Sequence, residues 1–216
     1  MVASVGAAES TETAAESEIA ESVADSQPVV PIEPEFSGLF VDVSVTSDSY
    51  DSIMLMWENG IMMGTSANTF EPDAPITRAM AATVLYRAAR TPQIEFADVF
   101  NDVEGGQWYS DAIMWTAAAG ITEGFEDGTF KPNEFVSREQ FILMMYRFSG
   151  LGGYGISART DLGAMYSDAD DISEWALDAI SCAAAMGLLT GIADASLEPG
   201  AFLTRGQCSG IVTRGG

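Results

Sequence analysis

Three equivalently placed Ser/Thr-Arg dipeptides, Thr77-Arg78, Ser137-Arg138 and Thr204-Arg205, set a cation beside a hydroxyl in a chain of formal net charge −23. The hydroxyl is easily explained. Ser137-x-x-Gln140 and Thr204-x-x-Gln207 fit a capping box, in which a hydroxyl and a carboxamide satisfy the first free backbone N–H groups of a helix. Thr77 can cap as well, although Met80 cannot reciprocate. Such a cap contributes about 1 kcal/mol, and it does not account for the arginine. A guanidinium in the first turn faces the positive end of the helix dipole, where a cation is disfavoured. Two chemistries would justify it. A helix N-terminus with free N–H groups attracts anions, and the guanidinium adds a bidentate fork for a carboxylate. Alternatively, each arginine pairs with an aspartate such as Asp42, Asp98 or Asp168. On the first reading Arg138→Ala weakens ligand binding and changes folding stability by no more than about 0.5 kcal/mol, as for a surface group.

Other chemistries find less support. The chain has no histidine, which excludes Ser-His-Asp and Cys-His catalysis and His-ligated zinc. The turn Phe125-Glu-Asp-Gly128 could offer oxygens to calcium, but the matching turns Thr65-Ser-Ala-Asn68 and Ile192-Ala-Asp-Ala195 are oxygen-poor, so a turn role is favoured. Glu123, Glu126 and Asp127 could form a glycosidase carboxylate pair, yet the equivalent positions elsewhere lack it. No catalytic residue, metal ligand or cofactor is assigned. Trp57, Trp108, Trp115 and Trp175 could stack on sugar rings. Trp57 and Trp115 lie on apolar helix faces and read as core, and Trp108 and Trp175 read as packing anchors. Cys182 and Cys208 stand where other repeats carry apolar residues, and they read as buried free thiols or as a disulfide between two helices.

The elements that position these groups come in triplicate. Gly60 to Tyr86, Gly120 to Tyr146 and Gly187 to Thr213 align without a gap, sharing a glycine pair (Gly60/Gly64, Gly120/Gly124, Gly187/Gly191) and a proline (Pro72, Pro132, Pro199). A unit of this length cannot bury its apolar face alone. Each repeat reads as two helices, with starts expected near Ser49, Thr77, Ser110, Ser137, Ser173 and Thr204. The second helices carry matching stripes: Ala81, Val84, Leu85 and Ala88; Phe141, Met144, Met145 and Phe148; Cys208, Ile211 and Val212. This i, i+3, i+4, i+7 spacing marks one buried helix face. The fold class is therefore all-α, with repeats at 40–90, 96–149 and 162–216. Gly150-Leu-Gly-Gly-Tyr-Gly155 connects the second and third.

With 47% hydrophobic residues among 216, the chain can fill one domain plus a tail. Residues 1–36 hold eight acidic side chains and no basic one, leaving 24 acidic against nine basic, net −15, for the remainder. Residues 1–39 are expected to be a disordered acidic spacer, stiffened by Pro28, Pro31 and Pro34, with residues 1–36 removable by protease at little change in the melting temperature of the remainder. Residues 1–8 could be a signal-peptide remnant. The charge argues against nucleic acid, which needs clustered Lys/Arg, and against an anionic membrane surface. Ala112 to Ile121 is too short to span a bilayer.

Phe96-Ala-Asp98, Trp108, Gly120-Ile121, Gly124, Asp127-Gly128-Thr129-Phe130, Pro132 and Ser137-Arg138 together resemble the S-layer homology (SLH) domain. The resemblance covers residues 40–216. It implies an extracellular, non-catalytic module, a closed pseudo-three-fold helical prism, associated with the cell wall or S-layer. Such a module binds a cell-wall polysaccharide or peptidoglycan-linked glycan, in many Gram-positive bacteria one capped by a pyruvate ketal, as a monomeric pseudo-trimer. It further implies that Arg78, Arg138 and Arg205, with Gly124, Asp127 and Gly128, contact an acidic sugar in grooves between prongs. Met80, Gln140 and Gln207 depart from the family's Glu, and both Ala67-Asn68 in the first turn and Ala195-Ser196-Leu197 in the third depart from its Asp/Gly-Thr-Phe. The groove of repeat two is accordingly expected to be best preserved. The rival reading is a helical protein–protein interaction or self-assembling surface-layer module without a glycan site.

Overall fold

Three local signals recur along the chain: a hydroxyl cap, an apolar stripe and a glycine stop. The computed structural model, which describes residues 38–95, 97–151, 159–190 and 195–215, contains seven α-helices, six of them begun or ended by such a signal. These are α1 (Tyr50–Glu58), α2 (Arg78–Ala88), α3 (Ser110–Ala118), α4 (Arg138–Leu151), α5 (Leu162–Met165), α6 (Leu177–Ala185) and α7 (Arg205–Gly215). The described residues are all-α and contain no strand beyond isolated bridges. The expected spacer up to residue 37, Phe96 and most of the Gly150–Gly155 connector lie outside the described residues.

Five of the six expected helix starts fall within a residue of the observed ones. The exception is Ser173, where a short 3₁₀ turn, Glu174–Ala176, precedes α6. The reason is register: Leu177, not Ser173, stands 67 residues after Ser110, the first residue of α3. The four-residue α5 was not anticipated.

The caps form as the side chains dictate. Gln140 N–H donates to Ser137 Oγ at 3.3 Å and Ser137 N–H to Gln140 Oε1 at 3.2 Å; Thr204 and Gln207 repeat the exchange at 3.3 and 3.1 Å. Thr77 accepts from Met80 N–H at 3.2 Å. Gly60, Gly120 and Gly187 end the first helices at φ of 66°, 69° and 71°, a conformation glycine adopts without a Cβ penalty.

The three stripes meet in one apolar cluster. Ala81, Val84 and Leu85, Phe141, Met144 and Met145, and Cys208, Ile211 and Val212 pack with Ile53 and Met56 of α1. Cys182 and Cys208 are both buried and free, as the first of the two readings has it, and burial raises both thiol pKa values. Trp57 and Trp115 pack partly buried against the cluster.

The residue before each cap joins a ring of backbone hydrogen bonds. Val136 N–H donates to Ile76 O (3.1 Å), Leu203 N–H to Val136 O (3.1 Å) and Ile76 N–H to Leu203 O (2.9 Å). All three residues are fully buried, so each bond replaces water that could not reach the group. Repeat one is thereby bonded to repeat two, two to three, and three back to one.

Gly124 shows how tightly each turn is held. A Cβ there would lie 2.5 Å from Phe100 Cε1 and 2.7 Å from the Thr129 carbonyl oxygen. Because one of these atoms is backbone, Gly124→Ala is expected to destabilise by about 1–3 kcal/mol, measurable by urea denaturation. An unchanged midpoint would show that the turn relaxes freely.

Candidate functional site

Each repeat closes its turn with an aspartate. Asp42 accepts from the N–H groups of Phe70 (2.9 Å) and Glu71 (2.6 Å), Asp102 from Phe130 (2.7 Å) and Lys131 (2.8 Å), and Asp168 from Leu197 (2.8 Å) and Glu198 (2.7 Å). Glu71, Lys131 and Glu198 have φ of 58°, 58° and 49°, a left-handed conformation unfavourable to residues with a Cβ. Two N–H groups turned toward one carboxylate offset that cost. Partial burial alone would raise the Asp168 pKa, but the bonds from Leu197, Glu198 and Ser196 outweigh it and hold the carboxyl below its ordinary value. In the second repeat the aromatic-x-Asp motif is thus Phe100-Asn101-Asp102, not Phe96-Ala-Asp98.

The arginines grip the same residues from the other side, across repeats. Arg78 Nε–H donates to Phe130 O at 2.7 Å, Arg138 NH1 to Leu197 O at 2.7 Å, and Arg205 Nε–H to Phe70 O at 2.6 Å. A second bond runs from Arg78 NH2 to Glu123 O (3.3 Å) and from Arg205 NH2 to Met63 O (2.6 Å). The Arg78 guanidinium lies 4.6 Å from the Phe130 ring centroid, and that of Arg205 4.4 Å from Phe70. Leu197 offers no ring, and Arg138 instead pairs with Glu198 at 3.1 Å. Burial pushes the Arg78 and Arg205 pKa values down, with neighbouring acids partly compensating.

Two expectations need correction. The arginines and aspartates do not pair directly; they hold opposite ends of one residue's backbone. Nor are the helix N-termini open to an anion. Arg78 and Ala79 N–H donate to Glu134 O and Pro132 O, Arg138 and Glu139 N–H to Ala201 O and Pro199 O, and Arg205 and Gly206 N–H to Ala74 O and Pro72 O. Arg138, only 8% exposed, is also not the surface group that a stability change below about 0.5 kcal/mol supposes.

Grooves run over these turns. The first is lined by Met63, Gly64, Met80, Arg87, Trp108 and Arg205, with a volume of about 490 Å³. The second, about 220 Å³, repeats it with Glu123, Gly124, Gln140, Arg147, Trp175 and Arg78. The third, about 270 Å³, is lined by Asp48, Asp73, Gln207 and Arg214. Asp48 stands 60 residues before Trp108, where the other grooves carry an indole. Gly124 lines the second groove, whereas Asp127 and Gly128 stand on the turn and line none of the three. The exposed Asp127 carboxylate accepts from Thr129 N–H and Oγ–H.

Two sets of groove residues escaped the sequence reading. Trp108 and Trp175, read as packing anchors, are 63% and 51% exposed. Arg87, Arg147 and Arg214 follow the first arginine of each repeat by nine residues, a spacing that identifies them. Each donates to the carbonyl of the residue 26 positions before it: Ile61 O at 3.4 Å, Ile121 O at 3.5 Å and Leu188 O at 3.2 Å.

The fold and site define a class: a three-repeat helical domain with arginine-lined surface grooves. The chain belongs to the S-layer homology domain family, whose profile matches residues 39–82, 99–142 and 166–207. It is 32% identical over 178 residues to an endoglucanase of Bacillus sp. (strain KSM-635), covering 81% of this chain and 18% of that protein. It is 29% identical over 165 residues to an amylopullulanase of Thermoanaerobacterium thermosulfurigenes, covering 75% and 9%. A cellulosome-anchoring protein of Acetivibrio thermocellus is 26% identical over 157 residues, covering 71% and 34%. The chain thus spans only a minor part of these relatives. Membership places it outside the cell, associated with the cell wall or S-layer. No described helix is long and apolar enough to cross a membrane.

Proposed function

We propose that this chain is a non-catalytic anchoring module, a monomeric closed prism of three repeats, that binds an acidic, pyruvate-bearing cell-wall polysaccharide in its grooves. The observation that carries the reading is the first groove, where an exposed indole, Trp108, shares a wall with Arg87 over the floor arginine Arg205. An aromatic face suits the apolar face of a sugar ring, and a guanidinium suits a ketal carboxylate. Arg78, Arg138 and Arg205 hold the turns, and Arg205 and Arg78 contribute positive charge to the first and second grooves from below; Gly124 keeps the second groove open to its floor. The relatives agree in kind. Proteins named amylopullulanase, endoglucanase and cellulosome-anchoring protein each match this chain over only 9%, 18% and 34% of their own length. The likeness therefore supports attachment, not catalysis.

The test is sedimentation with purified cell-wall sacculi, before and after acid removal of pyruvate. Binding is expected to the first and not to the second. Arg87→Ala is expected to weaken it about tenfold or more, the loss of one charge-assisted bond, with the melting curve recorded in parallel. One observation favours a protein–protein surface instead: Phe135 and Phe202 are 45% and 57% exposed, with ring centroids 5.2 Å apart. Sedimentation indifferent to acid treatment and to Arg87→Ala, but lost in Phe135→Ser, would favour that reading.

A further inference from the structure

The three grooves differ in where the chain's own carboxylates stand. In the second groove Glu123 Oε1 lies 3.0 Å from Arg147 NH2, so the guanidinium nearest the solvent already holds a carboxylate. In the third, Asp48 and Asp73 line the groove beside Arg214, and Asp48 replaces the indole. The first groove has Met63 at the position of Glu123, and no acidic residue lines it. Among the described residues Arg87 makes no ion pair. A pocket with two arginines and no carboxylate stands out in a chain carrying 32 acidic residues against nine basic ones.

We propose that Glu123 is a specificity-determining residue that occupies the second groove as a built-in competitor, leaving the Trp108–Arg87 groove as the site that takes the anionic sugar. This rests on the acidic-glycan reading above and departs from the expectation that repeat two forms the best-preserved groove. The chemistry is plain competition. An incoming carboxylate at Arg147 must displace that of Glu123 and then sit beside it, so it meets both a lost ion pair and a like charge. At Arg87 it meets neither. The ion pair is exposed, with 74% of the Glu123 side chain open to water, so displacement is feasible and the effect is graded. Met63 and Trp108, 50% and 63% exposed, give the first groove apolar walls against which a ring can pack.

The experiment uses the full chain and an N-acetylhexosamine methyl glycoside bearing a pyruvate ketal, with the ketal-free glycoside as control. The four tryptophans give resolvable indole N–H resonances, assigned with Trp108→Phe and Trp175→Phe. Titration with the ketal glycoside is expected to move the Trp108 signal first, and the Trp175 signal only at about tenfold higher concentration, from the lost competitor and like-charge repulsion together. Glu123→Gln, an exposed and nearly isosteric change, is expected to bring Trp175 into the range of Trp108 and leave Trp108 unchanged. The proposal is overturned if Trp175 responds as early as Trp108 in the parent chain, or if Glu123→Gln leaves the gap between them intact. If neither indole responds in either protein, while both remain folded, the acidic-glycan reading itself falls and takes this one with it.

Discussion

Arg205→Ala is expected to lower the unfolding free energy by about 2–5 kcal/mol, the range for leaving two carbonyls without their donors. The side chain joins repeat three to repeat one through Phe70 O and Met63 O, each at 2.6 Å, and the residue is 4% exposed. Alanine leaves two carbonyls without their donors and a void over the Phe70 ring. Urea unfolding should show a lower midpoint at an unchanged slope, meaning lost stability rather than a changed unfolded state. Lysine should recover only part of the loss, because one ammonium cannot reproduce the planar fork against two carbonyls and a ring. Arg78→Ala should behave alike. Arg138→Ala should cost less, since Arg138 has one carbonyl, no ring beneath it and a partner, Glu198, whose side chain is 61% exposed. A loss below about 1 kcal/mol at Arg205 would mean that the carbonyls find water easily.

Deleting residues 162–216 is expected to abolish cooperative folding of what remains. The core cluster loses Leu203, Cys208, Ile211 and Val212, which pack with Ile53, Met56 and Leu85. Ile76 loses the carbonyl that accepts its buried N–H, and the repeat-one turn loses Arg205. Each of these changes alone costs a substantial share of a typical stability of about 5–15 kcal/mol. Calorimetry of the fragment should show no unfolding peak. A sharp transition within about ten degrees of the parent would show that two repeats suffice.

What the sequence disclosed follows the range of the interactions. Caps at Thr77, Ser137 and Thr204 were legible because the partners of each lie three residues away. The helix stops at Gly60, Gly120 and Gly187, and the three apolar stripes, are equally local. The arginine partners were not legible: the carbonyls accepting from Arg78, Arg138 and Arg205 lie 52, 59 and 135 residues away. A backbone oxygen, moreover, leaves no mark in residue type. Asp102 was missed because Phe96-Ala-Asp98 offers the same local pattern, although Phe100 keeps the 60-residue interval from Phe40. The tryptophans misled for another reason. An indole just ahead of a helix reads as packing by composition alone, and only the neighbouring repeat turns that position into a groove wall.

The cyclic arrangement also governs how such a domain can be re-engineered. Repeat three supplies Arg205 to the first groove, Trp175 to the second and Arg214 to the third. No repeat is therefore a self-contained cassette. Transplanting one from another protein rewrites a floor, a wall and a rim in three different places, so the lining of one groove cannot be exchanged module by module. Tuning one groove alone calls for point substitutions at positions belonging to a single groove, of which Met63 and Glu123 are the accessible pair.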